Sequence, residues 1–394
     1  MKPREIRAGV YWVGAVDWDR RLFDALVPLP DGTSYNSYLV KGNAKTALID
    51  TVDPTMQDGL VDCLNELDDL KIDYLVVNHA EQDHSGSIPR ILARYPEAKV
   101  VTSPRCKDML IDLLMLPAER FITVNDYETL SLGDKTLEFI YTPWVHWPET
   151  MSTYLREDKI LFSCDFFGSH LATTDLYVTD VGQTIEAAKR YYAEIMMPFR
   201  SNIQRNLEKI ESYAIDIIAP SHGPMHDKPE SIVKAYHSWV FDEPKNIVIL
   251  PYVSMHGSTH KMVTYLIQAL AQRGVTVKQF DLAVTDIGKV AEALVDAGTV
   301  VLGTPTFLAN AHPLAAYAAF LTNALRPKAR FASVIGSYGW GGKTVEQLGI
   351  VLSSLKLEIL EPVVCKGFPR ADDFKALDKL ATTIAEKHKE SKFV

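Results

Sequence analysis

Over residues 8–50 the apolar positions come in short runs broken by turn formers. They are Tyr11-Trp12-Val13-Gly14-Ala15-Val16, Ser37-Tyr38-Leu39-Val40 and, behind the Gly42-Asn43 turn, Lys45-Thr46-Ala47-Leu48-Ile49-Asp50. Runs of this length, rich in aromatic and β-branched residues, predict strands. The period lengthens over 55–68, where Leu60, Cys63, Leu64 and Leu67 share a helical face. A strand Tyr74-Leu75-Val76-Val77 follows, and the polar stretch behind it opens a second helix, with Ser87 as its N-cap and Pro89 in its first turn. Strands are expected near 99–103, 121–125 and 137–142, and a strand–turn–strand unit over 151–163. Helices are expected over 184–197, along Ile203, Leu207, Ile210 and Ala214, and from Pro229 to Phe241. This is a β-rich α/β half.

Past the polar, proline-containing link Asp242-Glu243-Pro244-Lys245 the rhythm changes. Strand-like runs at 247–253, 275–281, 299–303, 330–336 and 357–364 alternate with helical runs at 259–272, 285–296, 313–325, 343–355 and 372–388. Such β/α repetition predicts an open, doubly wound parallel sheet with ligands at the carboxyl ends of its strands. Two domains follow, 1–243 and 246–394.

Composition narrows the function classes. Hydrophobic residues at 47% and charged residues at 23% supply core enough for both domains. A net charge of −9 argues against nucleic acid and anionic membrane as partners. Cys63, Cys106, Cys164 and Cys365 are scattered, with no CxxC pair, so neither a disulfide framework nor a zinc knuckle is suggested. With no apolar signal core at the start and no run of membrane-spanning length, the expected location is the cytoplasm.

The chemistry concentrates behind the strand Tyr74–Val77. His79, Glu81, Asp83 and His84 crowd into one short loop. His146 follows the run Phe139–Pro143, Asp165 follows Ile160–Phe162, and His222 follows Asp216–Pro220. One histidine or aspartate after a strand is usually a cap. The whole set, each member just past a strand, predicts ligands converging on one rim, too many for one ion and suited to two that share a carboxylate. His84 can swing away while its neighbour Asp83 coordinates.

The spacing His-x-Glu-x-Asp-His resembles the metallo-β-lactamase superfamily, in which a second histidine stands where Glu81 is. A carboxylate there makes the site harder and more anionic, suiting iron over redox-inert zinc. With the second half attached, the chain resembles the flavodiiron proteins, which reduce dioxygen or nitric oxide. The resemblance implies an N-terminal metallo-β-lactamase-like αββα sandwich followed by a flavodoxin-like doubly wound parallel sheet. It assigns His79, Glu81 and His146 to one iron, Asp83, His84 and His222 to the other, and Asp165 to both. A shared carboxylate holds two cations roughly 3.5–4 Å apart. Trp147, Tyr191 and Tyr192 fall where the family has pocket residues. His170, His226 and His237 match no ligand position, although His226 lies near His222. Asp24 stands where relatives carry a histidine after the phenylalanine.

In the second half, Ser254-Met255-His256-Gly257-Ser258-Thr259 leads into a helix. Hydroxyls and free amides at a helix start cradle a phosphate, and the absence of a Gly-x-Gly-x-x-Gly run points to a mononucleotide, FMN. Family members often carry a tryptophan where His256 stands. Pro305, Thr306, Phe307, Leu308 and Asn310 after the third strand, and Ser337, Tyr338, Gly339, Trp340, Gly341 and Gly342 after the fourth, belong at the same edge. Their glycines permit close approach of backbone to a ring, and Tyr338 or Trp340 can stack on it.

The expectation is therefore a cytoplasmic reductase of dioxygen to water or of nitric oxide to nitrous oxide, with FMN feeding two irons per chain. No cysteine-rich rubredoxin segment is present before Val394, so the donor is expected to be separate, rubredoxin or reduced coenzyme F420. The family implies a head-to-tail homodimer or a dimer of dimers. Two alternatives stay open: a zinc hydrolase fused to a flavodoxin-like module, and a flavin carrier on a metal-free scaffold.

Overall fold

A computed structural model of the chain describes residues 2–352 and 355–393. It divides into two compact units, Met1–Tyr191 with Phe199–Val240, and Tyr192–Pro198 with Phe241–Val394.

The first unit is an αββα sandwich. Its seven-stranded sheet runs Arg4–Arg7, Val10–Trp12, Tyr38–Lys41, Thr46–Ile49, Tyr74–Val76, Lys99–Thr102, Phe121–Thr123. The five-stranded sheet runs Thr129–Ser131, Thr136–Tyr141, Met151–Leu155, Ile160–Cys164, Ile217–Pro220. Side chains alternate faces along a strand. Val40, Ala47, Ile49, Val76 and Val101 therefore meet Phe139, Met151, Leu155, Ile160, Phe162 and Ala219 in the core between the sheets. Leu39, Leu48, Leu75 and Val100 turn the other way and pack on Leu60, Cys63, Leu64, Ile91, Cys106 and Leu110 of three helices. A sheet covered on both faces explains why its strands read as unbroken apolar runs.

Local departures from the expected elements have physical causes. The run Tyr11–Val16 breaks at Gly14, where a β-carbon would lie 2.3 Å from Tyr35 O, and yields separate strands Val10–Trp12 and Ala15–Asp17. Ser87 does not cap with its side chain, because a short helix Gln82–Ser85 already precedes it and its hydroxyl donates to Val52 O at 2.7 Å. The helix Pro104–Leu114 is unanticipated by the pattern, although Ser103 Oγ caps it through Cys106 N. The helix expected over 184–197 is α-helical over Val181–Tyr191 and widens to a π-turn over Tyr192–Met196.

The second unit is a parallel sheet ordered Thr276–Asp281, Ile247–Tyr252, Thr299–Phe307, Phe331–Tyr338, then the fifth strand. Second–first–third–fourth–fifth is the flavodoxin-like order. The fifth strand, expected over 357–364, is split into Glu358–Ile359 and Val363–Lys366. Pro362 between them has no N–H for the ladder. The helix expected over 343–355 is present as Thr344–Leu352; residues 353 and 354 lie outside the described residues. Lys245 N donates to Asp296 O at 2.8 Å, fixing the end of the proline-containing link to this unit. No helix among the described residues is long and apolar enough to cross a membrane.

Candidate metal centre and flavin cavity

The first site is assembled from strand ends. Behind Tyr74–Val76, both oxygens of buried Asp50 hold Asn78, through its backbone N at 2.7 Å and its Nδ2 at 2.8 Å. Thr51 then grips the loop from below, its N and Oγ1 donating to His84 O at 2.7 and 2.6 Å. These bonds aim His79, Glu81, Asp83 and His84 over the rim. His146 sits in the connection between Thr136–Tyr141 and Met151–Leu155, which Thr142 N closes on Thr150 O at 3.0 Å. Asp165 follows Ile160–Cys164, and His222 follows Ile217–Pro220.

The hairpin residue Asn36 fixes the His222 turn, with Nδ2 donating to Pro220 O and Gly223 O, both at 2.8 Å. Gly223 adopts φ +78°, and a β-carbon there would fall 2.2 Å from Ser169 Oγ. Only glycine fits that turn.

The seven side chains meet as two groups around one carboxylate. His79 Nε2 and His146 Nε2 lie 3.1 and 3.0 Å from Glu81 Oε2, and 3.5 and 3.8 Å from Asp165 Oδ2. On the other side, His222 Nε2 is 3.1 Å from Asp83 Oδ2, and His84 Nε2 and His222 Nε2 are 3.0 and 3.5 Å from Asp165 Oδ1. Each Asp165 oxygen thus faces its own triad. Within each group the ligand-capable atoms lie within 4.8 Å of one another.

Two outward ring nitrogens are anchored. His79 Nδ1 donates to Glu149 Oε1, and His222 Nδ1 to Ser34 O, each at 2.7 Å. Such bonds set the tautomer and leave Nε2 free to ligate. Asp83 Oδ1, Asp165 Oδ2 and His84 Nδ1 are buried with no hydrogen-bond partner, and Asp83 Oδ2 and His84 Nε2 have only other ligand-capable atoms within reach. Buried carboxylate oxygens are left so only at a large cost unless cations complete them. Four imidazoles and three carboxylates around two centres therefore fit a pair of divalent irons.

The surroundings are aromatic. Trp147 stands edge-on to His79 with centroids 5.0 Å apart, and Phe23 lies 6.4 Å from His222. Tyr191 donates its hydroxyl to Asp165 Oδ1 at 2.7 Å. Tyr192 is buried in the π-turn that groups with the second unit. His170 lies closer to the centre than its lack of a ligand position suggests: its ring is 4.8 Å from His222 and 4.6 Å from Tyr191, and Nδ1 is paired with Thr33 Oγ1 at 2.8 Å. His226 is buried away from the ligand cluster, with Nε2 3.2 Å from Phe167 O. Asp24 faces Glu81, Asp83 and His146; partial burial and the two carboxylates push it up to about 6.

Sequence reasoning missed Asp50, Ser34 and Glu149 as supports. Asp50 carried a signal, an acid ending an apolar strand; Ser34 carried none.

The second site is a cavity of about 190 Å³ at the carboxyl end of the parallel sheet. Ser254, Met255, His256, Ser258 and Thr259 line one side, and Pro305, Thr306, Ser337, Tyr338 and Gly339 the other, with Gly367 added from the loop after the fifth strand. Gly257 caps the helix Ser258–Ala271 at φ +86°, with open space where a β-carbon would be. Ser254 Oγ accepts from Gly257 N and His260 N, both at 3.2 Å. The N-cap Gly257 has no side chain to offer the amides of Ser258 and Thr259, and no acid stands in the first turn, so a phosphate fits there. Phe307, Leu308 and Asn310 sit on the hairpin at the end of the third strand, and Trp340, Gly341 and Gly342 on the loop after the fourth; none of them lines the cavity. Trp340 is 78% exposed.

The profile of the ODP family beta lactamase matches residues 33–223. The nitric oxide reductase of Moorella thermoacetica is 37% identical over 393 residues, 98% of each chain. The anaerobic nitric oxide reductase flavorubredoxin of Escherichia coli is 33% identical over 94% of this chain and 79% of its own. Among solved structures, the rubredoxin oxygen:oxidoreductase of Desulfovibrio gigas superposes with a TM-score of 0.95 at 31% identity, over 99% of both chains. The flavodiiron protein of Giardia intestinalis does so with a TM-score of 0.90 at 29% identity, over 98% of both.

Proposed function

Because the chain belongs to the flavodiiron, or A-type flavoprotein, family, we propose that it is an FMN- and di-iron-dependent reductase of dioxygen to water, nitric oxide to nitrous oxide, or both. Dioxygen takes four electrons and four protons to two waters; two nitric oxides take two electrons and two protons to nitrous oxide and water. The observation that carries this reading is Asp165, whose two carboxylate oxygens face separate ligand triads. Two irons and FMN, when bound, would supply the redox chemistry.

His79, Glu81 and His146 would hold one iron, Asp83, His84 and His222 the other, and Asp165 both. The protein's own residues do the rest. Glu149 and Ser34 keep the Nδ1 protons of His79 and His222 on the outward side. Tyr191 holds its hydroxyl proton against Asp165 Oδ1 and so orients the shared carboxylate. Trp147 walls His79 from water with an apolar edge.

The domains are 1–243 and 246–394, and the FMN contacts are the residues of the second-unit cavity. The electron donor is a separate rubredoxin or reduced coenzyme F420, the working unit a head-to-tail homodimer and the location the cytoplasm. Free, buried cysteines at all four positions suit a reducing compartment.

Metal and flavin analysis of protein purified without added metal tests the reading. Two irons and one FMN per chain, with gas consumption driven by a reduced donor, are expected. Zinc in place of iron, or no consumption of either gas by iron- and FMN-replete protein, refutes it.

A further inference from the structure

The flavin cavity is short of positive charge. Among its lining residues there is no lysine, arginine, aspartate or glutamate. A phosphate monoester brings a charge of about −1.5 to −2 at neutral pH. The start of the helix Ser258–Ala271 offers the equivalent of only about half a positive charge. Hydroxyls of Ser254, Ser258 and Thr259 add dipoles but no net charge. His256, in the turn that leads to the Gly257 cap, is the one lining side chain able to become a cation.

We propose that the imidazolium of His256 pairs with the phosphate of FMN, so that this chain retains FMN in a pH-dependent manner and selects it over unphosphorylated flavin. The proposal rests on the reading of the cavity as an FMN site.

The neighbouring titratable groups do not supply that charge. His260, on the same helix, turns its Nδ1 to Tyr252 Oη at 3.3 Å. Lys261 follows it and is absent from the lining. On the fourth strand, Tyr338 could only add negative charge. Lys366 pairs in register with Tyr338 on the fifth strand but does not line the cavity, and Cys365 beside it is buried against Met262 and Gly367 O. From the hairpin of the third strand, His312 is engaged in capping its own helix through Leu314 N.

The direction of the effect follows from linkage. A histidine in water titrates at about 6.5. Pairing with a dianion raises that value, so FMN binding takes up a proton and weakens as pH rises from 7 to 9. Over that range the phosphate, with a second pKa of about 6, is already dianionic and contributes no slope.

The experiment dilutes FMN-loaded full-length protein and reads released flavin by its recovered fluorescence at pH 7 and pH 9. Wild type is expected to lose about three- to tenfold in FMN affinity between the two. His256→Gln should be weaker at pH 7 by a similar factor and flat with pH; His256→Lys should be tight and flat. Riboflavin, added to iron-loaded protein as a competitor, should bind all three alike. Equal FMN affinities of wild type and His256→Gln at both pH values overturn the proposal, as does a pH slope that survives in His256→Lys. If the purified protein carries no flavin and takes up none, the assignment of the cavity itself fails, an outcome visible before any variant is made.

Discussion

Glu149 accepts the Nδ1 proton of His79 at 2.7 Å, and the same oxygen takes the amide of Ala80 at 3.0 Å. One carboxylate oxygen thereby fixes a ring and the backbone beside it. Burial works against the Glu149 charge, but the His79 bond outweighs it and holds the carboxyl below its ordinary range. Glu149→Ala leaves both donors buried and unpaired and frees the ring to rotate. We expect a loss of about 10–100-fold in iron affinity, measured by competition with a chelator. Glu149→Gln, which keeps an acceptor, should lose less. Unchanged affinity in the alanine variant would show that the ring is held by something else.

Tyr191→Phe removes the hydroxyl from Asp165 Oδ1 and nothing else of the ring. Tyr191 is 2% exposed, so the phenyl keeps its packing. Hydrogen bonds to charged groups contribute about 1.5–3 kcal/mol, and here the charge is the carboxylate between the triads. Gas turnover should fall several-fold with two irons still bound. Should iron be lost in proportion to activity, the hydroxyl is needed for assembly and not for turnover.

Glu81→His restores the ligand that zinc hydrolases carry at this position. The substitution removes a negative charge from between His79 and His146, which both lie within 3.1 Å of Glu81 Oε2. Metal content should shift from iron towards zinc, and dioxygen consumption should vanish while circular dichroism stays native. An iron-filled, fully active variant would refute the argument for this carboxylate.

His226 gives a pH dependence away from the ligands. Burial drives it down to about 4, against an ordinary 6.5. The neutral ring donates Nε2–H to Phe167 O. A depressed histidine contributes stability that is complete above 6.5 and lost as pH falls towards 4, because the unfolded chain takes the proton first. The full shift corresponds to at most about 3 kcal/mol. Urea midpoints of wild type and His226→Gln, compared at pH 7 and pH 4.5, should converge at the lower pH; a constant gap would remove the histidine as the cause.

The ligand loop was legible because its members are close in sequence and each later ligand stands behind an apolar run, a pattern that local periodicity exposes. The partners that hold those ligands were not legible. Glu149 reaches back 70 residues to His79, and Ser34 reaches 188 residues to His222. Nothing in local composition marks a backbone carbonyl as an acceptor for a distant ring. Ser87 shows the opposite failure: it carries a capping signature, but tertiary contact took its hydroxyl to Val52 O. In the second unit the open parallel sheet followed from β/α repetition, whereas the order of its strands did not, and the break at Pro362 depended on which edge the fifth strand occupies.

The spread of the rim along the chain also sets a timetable. A ribosome delivers His79 to His84 early, and roughly ten seconds of synthesis at ordinary elongation rates pass before His222 emerges. Through that interval the nascent chain offers an incomplete, carboxylate-rich half-site to whatever cation the cell has loose. Divalent zinc binds such groups more tightly than ferrous iron does. The full ligand set exists only once His222 has emerged and Asn36 can close on the Pro220–Gly223 turn.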